Sequence, residues 1–266
     1  MELYQVTSTA VGYGADGMIQ SAYVEDTGNL LQEYADQIKA RNYSATNVAE
    51  VMEGIDGVFF TGGEDISPSL FKDPKKEENM GEGINATRDI SDYTLMSYCV
   101  QKDIPAFAVC RGEQMMGIVH GVTFIQDLPV YYHSKGVYYD GLHRAPVNAW
   151  GRDYVRHDVT LLPVKSHLRE IVGADQLGNV SSWHHQAILS VEGTDLIQTA
   201  ETVDKGGVSI VEGIENPTKK FCVAVQFHPE NDLKHVLVEG EDPKDYMDQT
   251  IALRFFQELV KAAAQK

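Results

Sequence analysis

Cysteine is scarce in this chain: Cys99, Cys110 and Cys222 are the only three among 266 residues. An odd, low count leaves at least one thiol free and supplies no disulfide framework of the kind that staples small secreted domains. Basic residues are also few. There are 22 Lys and Arg against 39 Asp and Glu, a formal net charge of -17. Nucleic acid is held through Lys and Arg, so this balance argues against it as a partner and reads instead as solubility and self-repulsion. No stretch approaches the ~18 uninterrupted apolar residues that a membrane span requires. Met1-Glu2-Leu3-Tyr4-Gln5 has neither the basic start nor the apolar core of a secretory signal, so a cytoplasmic location is expected. Internal repeats, low-complexity tracts and Pro/Ser-rich linkers are missing too, which favours a single domain over residues 1–266.

What is present is an alternation of short apolar runs and helix-period stretches, the pattern of a sheet with helices on its faces. Gly57 to Thr61, Ile104 to Val109 and Phe221 to Phe227 are nearly continuous in apolar residues, as strands buried on both faces should be. Weaker strand signals lie at His157 to Leu161, Leu196 to Ala200 and Val208 to Val211. Helices are expected at Asn29 to Ala40, Asp89 to Lys102, Gly112 to His120 and Lys244 to Ala264, the last beginning just after Pro243. The segment Asp127 to Arg156 is long, aromatic and Gly-rich, a composition found in loops that cover active sites.

The most informative stretch is Ile104-Pro105-Ala106-Phe107-Ala108-Val109-Cys110-Arg111-Gly112-Glu113-Gln114. An apolar strand runs into a polar residue flanked by small ones, and a helix follows. That is the strand–turn–helix context of a nucleophile elbow. The bend is tight, so residues two positions away must be small, and Ala108 and Gly112 are. A cysteine there also sits at a helix N-terminus, where the dipole favours the nucleophilic thiolate. Its proton acceptor is expected in Gln226-Phe227-His228-Pro229-Glu230. Pro229 disfavours helix at His228. In an extended chain, residues two apart share a side, which lets Glu230 reach and orient the imidazole. Zinc on Cys110, His228 and Glu230 is allowed by ligand chemistry, but no close-spaced Cys/His motif supports a metal, and neither metal nor cofactor is expected.

Two further clusters suit the same chemistry. Thr61-Gly62-Gly63-Glu64-Asp65 follows the first strong strand. Its paired glycines allow close backbone approach, and their amides, with that of Arg111, are candidates to bind the negative oxygen of a tetrahedral intermediate. Ser181-Ser182-Trp183-His184-His185-Gln186 offers hydrogen-bond partners for a polar substrate, or alternatively a polar loop packed under Trp183.

With these residues in order, the sequence resembles the class I glutamine-amidotransferase-like superfamily, and within it the gamma-glutamyl-gamma-aminobutyrate hydrolase family. The matching pieces are Gly57 to Pro68, Arg88-Asp89, Ile104 to Gln114, Gln126 to Pro129, His184-His185-Gln186 and Val225 to Glu230. The resemblance implies a flavodoxin-like α/β fold with a mostly parallel central sheet. It further implies a triad of Cys110, His228 and Glu230 and an oxyanion hole from Gly62, Gly63 and the amide of Arg111. The implied substrate is a gamma-glutamyl amide, with Gln114, His184, His185 and Gln186 at its glutamyl end. Arg88 is a candidate for the substrate carboxylate or for an ion pair with Asp92. A glutaminase that feeds ammonia to a separate synthase is the alternative function, and a homo-oligomer is possible in either case. Two features depart from the family pattern. Tyr23 to Asp56 shows no clear strand, so the N-terminal part of the sheet is expected to be short, rearranged or completed by a partner chain. Ala108 stands where glycine is common, and it is small enough for the bend.

Overall fold

In this computed structural model the described residues are 6–8, 47–73, 83–145 and 154–265. One eight-stranded sheet organises them, in the order β1-β2-β3-β10-β9-β8-β5-β6. Strands β1 (Val6–Ser8), β2 (Gly57–Phe60), β3 (Ala106–Val109) and β10 (Cys222–Val225) run parallel. Beyond β10 the sheet continues antiparallel through β9 (Ser209–Glu215), β8 (Ile197–Val203), β5 (Val155–Leu161) and β6 (Gln176–Ser182). A small second sheet pairs β4 (Thr123–Ile125) with β7 (Ala187–Ser190). The expected α/β architecture is therefore present, with a parallel half and an antiparallel half in one mixed sheet.

The parallel strands alternate their side chains between two cores. Ala106 and Ala108 face a core shared with helices α2 (Ala86–Lys102) and α3 (Arg111–His120), whereas Phe107 and Val109 face the other side. On that second face lie helices α5 (His167–Val172) and α7 (Gln249–Ala263). Phe107 stacks on Phe255 at 5.3 Å and meets Phe256 edge-on at 5.5 Å, so the terminal helix docks on the middle of the sheet. Asp248 caps that helix by accepting from the amides of Thr250 and Ile251. Among the described residues, no helix is long and apolar enough to cross a membrane.

Several expectations change here. A strand does stand beside β2, but at Val6–Ser8, upstream of the 23–56 segment in which a strand was sought. The helix expected at Asn29 to Ala40 lies outside the described residues, and within 47–56 there is only a four-residue helix, α1 (Val48–Val51). The 127–156 segment is not all loop. It opens with α4 (Leu128–Ser134), capped by Asp127, whose carboxylate accepts from the amide of Val130 at 3.3 Å. It closes inside β5, and residues 146–153 lie outside the described set. Pro229 keeps His228 out of the helix, as expected, at φ -114° and ψ 80°, but the chain does not stay extended beyond it: Pro229 opens helix α6 (Pro229–Leu233). Proline suits a first helical position, because its missing N–H has no partner to lose there.

Phe255→Ala removes a ring that is fully buried between Phe107 and Phe227. Truncation of a buried phenylalanine costs about 3–5 kcal/mol, and denaturant unfolding is expected to show a loss of that size. A loss below ~1 kcal/mol would contradict the docking of α7 on the sheet.

Candidate functional site

Three neighbouring parallel strands end at the same edge. Phe60 pairs with Ala108, and Ala224 and Val225 pair with Ala108 and Val109. The residues that follow these ends are Gly62, Cys110 and His228, which the strand order therefore sets side by side. Carboxyl edges of parallel strands are where open α/β sheets build their sites.

Cys110 caps α3 with φ 53° and ψ -109°. A non-glycine residue at such angles carries about 1–3 kcal/mol of strain and needs surroundings that over-determine it. They do so here. The Cys110 amide donates to the carbonyl of Val225 at 2.8 Å, and its own carbonyl accepts from the amide of Gln114 at 3.1 Å. At Gly112, an added Cβ would lie 2.5 Å from the carbonyl oxygen of Phe60, so only glycine lets α3 start this close to β2.

His228 is buried and its Nδ1 lies 2.6 Å from Glu230 Oε1. Cys110 lies on the other side of the ring, and both residues crowd the same point of the Gly62 turn. Burial pulls the imidazole towards its neutral form, but Glu230 and then Cys110 outweigh it and hold the pKa well above the usual value. The backbone amide of His228 donates to Ser181 at 2.8 Å, and the Tyr154 ring meets the imidazole edge-on at 5.1 Å. Glu230 thus reaches the ring from the first turn of a helix, a different backbone route to the contact expected from an extended chain.

The Gly62-Gly63 turn closes over this pair. A Cβ on Gly62 would come within 2.8 Å of His228 Cε1 and 3.5 Å of Cys110 Cβ; on Gly63 it would meet the Arg88 guanidinium at 2.0 Å. Arg88 is engaged by the protein on every guanidinium nitrogen. Nη2 donates to Thr61 O, Thr61 Oγ1 and Gly62 O, Nη1 to Glu64 at 2.9 Å, and Nε to Asp92 at 3.2 Å. Of the two roles considered for Arg88, the geometry is that of the ion pair, and the side chain also fixes the carbonyls of the glycine turn. The buried Arg111 side chain runs beneath, pairing with Asp89 at 2.5 Å and with the same Asp92 oxygen that Arg88 uses.

A narrow pocket adjoins the sulfur, lined by Gly63, Glu64, Asp65, Cys110, Gln114, Trp183, His184, His185 and Gln186. Gln114 is oriented by Nε2 donation to Gln186 O and Gln226 Oε1. His185 bridges two carboxylates, Asp127 at 3.0 Å and Asp65 at 2.8 Å. Burial opposes its charge, yet those two hydrogen bonds raise its pKa to about 9. His184 places Nδ1 on Gln186 O at 2.9 Å and aims Nε2 away from the pocket, towards Glu212. Asp65, Asp127, Tyr154 and Gln226 were not singled out as site residues at the sequence level. Asp65, Asp127 and Gln226 stand inside motifs noted above; Tyr154 carries no local signal.

Comparison with known proteins places the chain in a family and a fold. A family model described as peptidase C26 matches residues 37–230, well over half of the chain. The chain belongs to the peptidase C26 family. Protein NtpR of Enterococcus hirae is 32% identical over 188 residues, covering 70% of this chain and 72% of that protein. A protein of Rickettsia prowazekii provisionally named glutamine amidotransferase-like protein RP404 is 27% identical over 272 residues, covering 88% and 89%. Among solved structures, the glutaminase domain of Trypanosoma brucei CTPS with bound acivicin superposes with a TM-score of 0.51 at 18% identity, covering 99% of this chain and 95% of that one. At that identity the likeness is one of fold. The C26 member described here shares the α/β fold of class I glutamine amidotransferase structures.

The His185 bridge generates a pH prediction. Its folded pKa, about 9, lies above the ordinary 6.5, so the folded state holds the proton more tightly than the unfolded chain. The stabilising contribution is full below about 6.5 and is lost as pH rises through about 9. His185→Gln is expected to flatten this part of the stability curve in urea unfolding between these limits. An unaltered slope would refute the bridge.

Proposed function

We propose that this protein is a cysteine-dependent hydrolase of gamma-glutamyl amides, releasing glutamate and an amine. The observation that carries the proposal is the placement of Cys110 near His228, whose Nδ1 lies 2.6 Å from Glu230, beside a polar pocket. Membership of the peptidase C26 family supports amide-bond chemistry at such a cysteine.

In the proposed reaction the Cys110 sulfur attacks the side-chain carbonyl carbon of the glutamyl group, and its proton resides on His228. The oxygen gains negative charge within reach of the amides of Gly62, Gly63 and Arg111; one such donor is typically worth ~100- to 1000-fold in rate. Collapse of the tetrahedral intermediate breaks the C–N bond, and His228 gives its proton to the departing amine. A gamma-glutamyl thioester remains. Water then attacks the thioester as His228 accepts a proton, and glutamate leaves with restoration of the thiol. Glu230 orients the ring and stabilises the imidazolium throughout. Gln114, His184, His185 and Gln186 are assigned to the glutamyl end, with His184 acting through its contact with Gln186. Arg88 is assigned a positioning role on the glycine turn.

The name of the Rickettsia relative and the fold likeness to a glutaminase domain favour a second reading, a glutaminase that passes ammonia to a separate synthase. A panel of gamma-glutamyl amides scored by glutamate release separates the two. Unassisted cleavage of gamma-glutamyl amines supports the hydrolase. Glutamine turnover that rises sharply only with a partner supports the glutaminase.

Cys110→Ala is expected to abolish turnover and leave the fold intact, checked by circular dichroism; substantial residual hydrolysis would remove Cys110 from the mechanism. The pH–rate profile should be bell-shaped, its basic limb reporting loss of the His228 proton. Glu230→Gln removes the main influence that raises the His228 pKa. It is expected to lower kcat/KM by about 100-fold or more and to move the basic limb to lower pH. A limb that stays in place would contradict the assigned role of Glu230.

A further inference from the structure

Behind the pocket wall, four buried side chains converge: His143 from the segment after α4, His157 from β5, His184 from the turn after β6, and Glu212 from β9. Their facing atoms all lie within 4.8 Å of one another. His143 Nε2, His157 Nε2 and His184 Nε2 have no hydrogen-bond partner, and Glu212, beside the Thr202 hydroxyl, meets the cluster through Oε1 with no geometrically formed hydrogen bond to any of the rings. Buried polar atoms are rarely left this way, and several in one place call for a ligand.

The outer side of the cluster shows what kind. His184 Nδ1 lies 2.9 Å from the carbonyl of Gln186, and His157 Nδ1 lies 3.2 Å from the carbonyl of Asp158. A carbonyl only accepts, so each Nδ1 is the N–H donor, and in the neutral ring each Nε2 is a bare lone pair. Both lone pairs point at Glu212 Oε1, at 3.5 Å for His157 and 3.8 Å for His184, with His143 Nδ1 at 3.1 Å. Lone pairs facing a carboxylate repel unless a cation sits between them. One proton satisfies one ring; a metal ion satisfies all three. The separations also suit a metal, since bonds of about 2.0–2.1 Å in tetrahedral array give ligand edges of roughly 3.3 Å. An imidazole fixed through its far nitrogen to a backbone carbonyl is the usual support of a metal-bound histidine.

We propose that His143, His157, His184 and Glu212 form a buried zinc site. Three imidazole nitrogens and one carboxylate oxygen are borderline ligands that suit zinc. Four protein ligands leave no open position, which makes the site structural. Zinc there ties the segment after α4 and the His184-His185-Gln186 wall of the pocket onto the antiparallel half of the sheet. The ligands run from residue 143 to residue 212 on four separate elements, so no compact sequence motif announces them.

The test measures zinc by elemental analysis in protein that has been stripped with chelator, exposed to zinc chloride and desalted. It uses a Cys110→Ser background, so that the free thiol does not contribute. About one zinc per chain is expected. His235→Ala should keep it, because His235, Glu239 and Glu241 form the exposed competitor cluster. His157→Gln and Glu212→Gln, each shown to be folded by circular dichroism, should weaken zinc affinity at least tenfold. Should those variants not fold, the parent protein still decides: chelation is expected to lower its Tm by several degrees, reversibly on adding zinc. Absence of zinc with no Tm response, or zinc that is lost with His235→Ala and kept in Glu212→Gln, would overturn the proposal.

Discussion

The backbone at Cys110 is the constraint on which the rest of the site depends. At φ 53° and ψ -109° the chain reverses from β3 into α3 within one residue and leaves the sulfur at the carboxyl edge of the sheet. Such angles are unfavourable for an L-residue, so neighbouring strands must hold them. The parallel register of β3 with β10 does this through the amide of Cys110 and the carbonyl of Val225. The register of β2 with β3 does it through the contact of Gly112 with Phe60. The strand pairing that strains the cysteine also delivers His228 and Gly62 to its side.

Charge beneath the elbow works towards position more than stability. Arg111, Asp89, Asp92, Arg88 and Glu64 form a linked set of ion pairs, with Arg111, Asp89 and Asp92 withdrawn from solvent. Buried pairs of this kind contribute little net stability, because desolvation offsets much of the attraction. Their geometry explains their presence. The set begins on the residue after Cys110 and ends on the carbonyls of Thr61 and Gly62, so it couples the helix N-terminus to the glycine turn. The His185 bridge between Asp65 and Asp127 ties the far end of that turn to the cap of α4. A chain with a net charge of -17 thus places two arginines and His185 around one site.

Much of this was legible from residue order. The β3–Cys110–α3 unit announces itself through an apolar run, small flanking residues and a helical period. The pairing of His228 with Glu230 follows from their spacing, although the backbone that achieves it does not: Pro229 keeps His228 out of the helix and at the same time starts one. The strand β6 was not visible because it is polar, carries Gly178 and a left-handed Asn179, and pairs with β5 through a bulge. The strand β1 escaped because only three residues, Val6–Ser8, take part. The helix α4 did carry a signal, Asp127 as cap with Pro129 in the first turn, which the aromatic and Gly-rich character of the following residues masked. The His143, His157, His184 and Glu212 cluster belongs to another class, since only the folded sheet brings those residues together.

Rapid-quench mass spectrometry during turnover of a gamma-glutamyl amide addresses the mechanism most directly. The account predicts a transient glutamyl adduct on the peptide that carries Cys110, with Cys99 and Cys222 unmodified. Steady release of glutamate with no adduct on Cys110 at any quench time, in a protein that keeps full activity as Cys110→Ser, would contradict it.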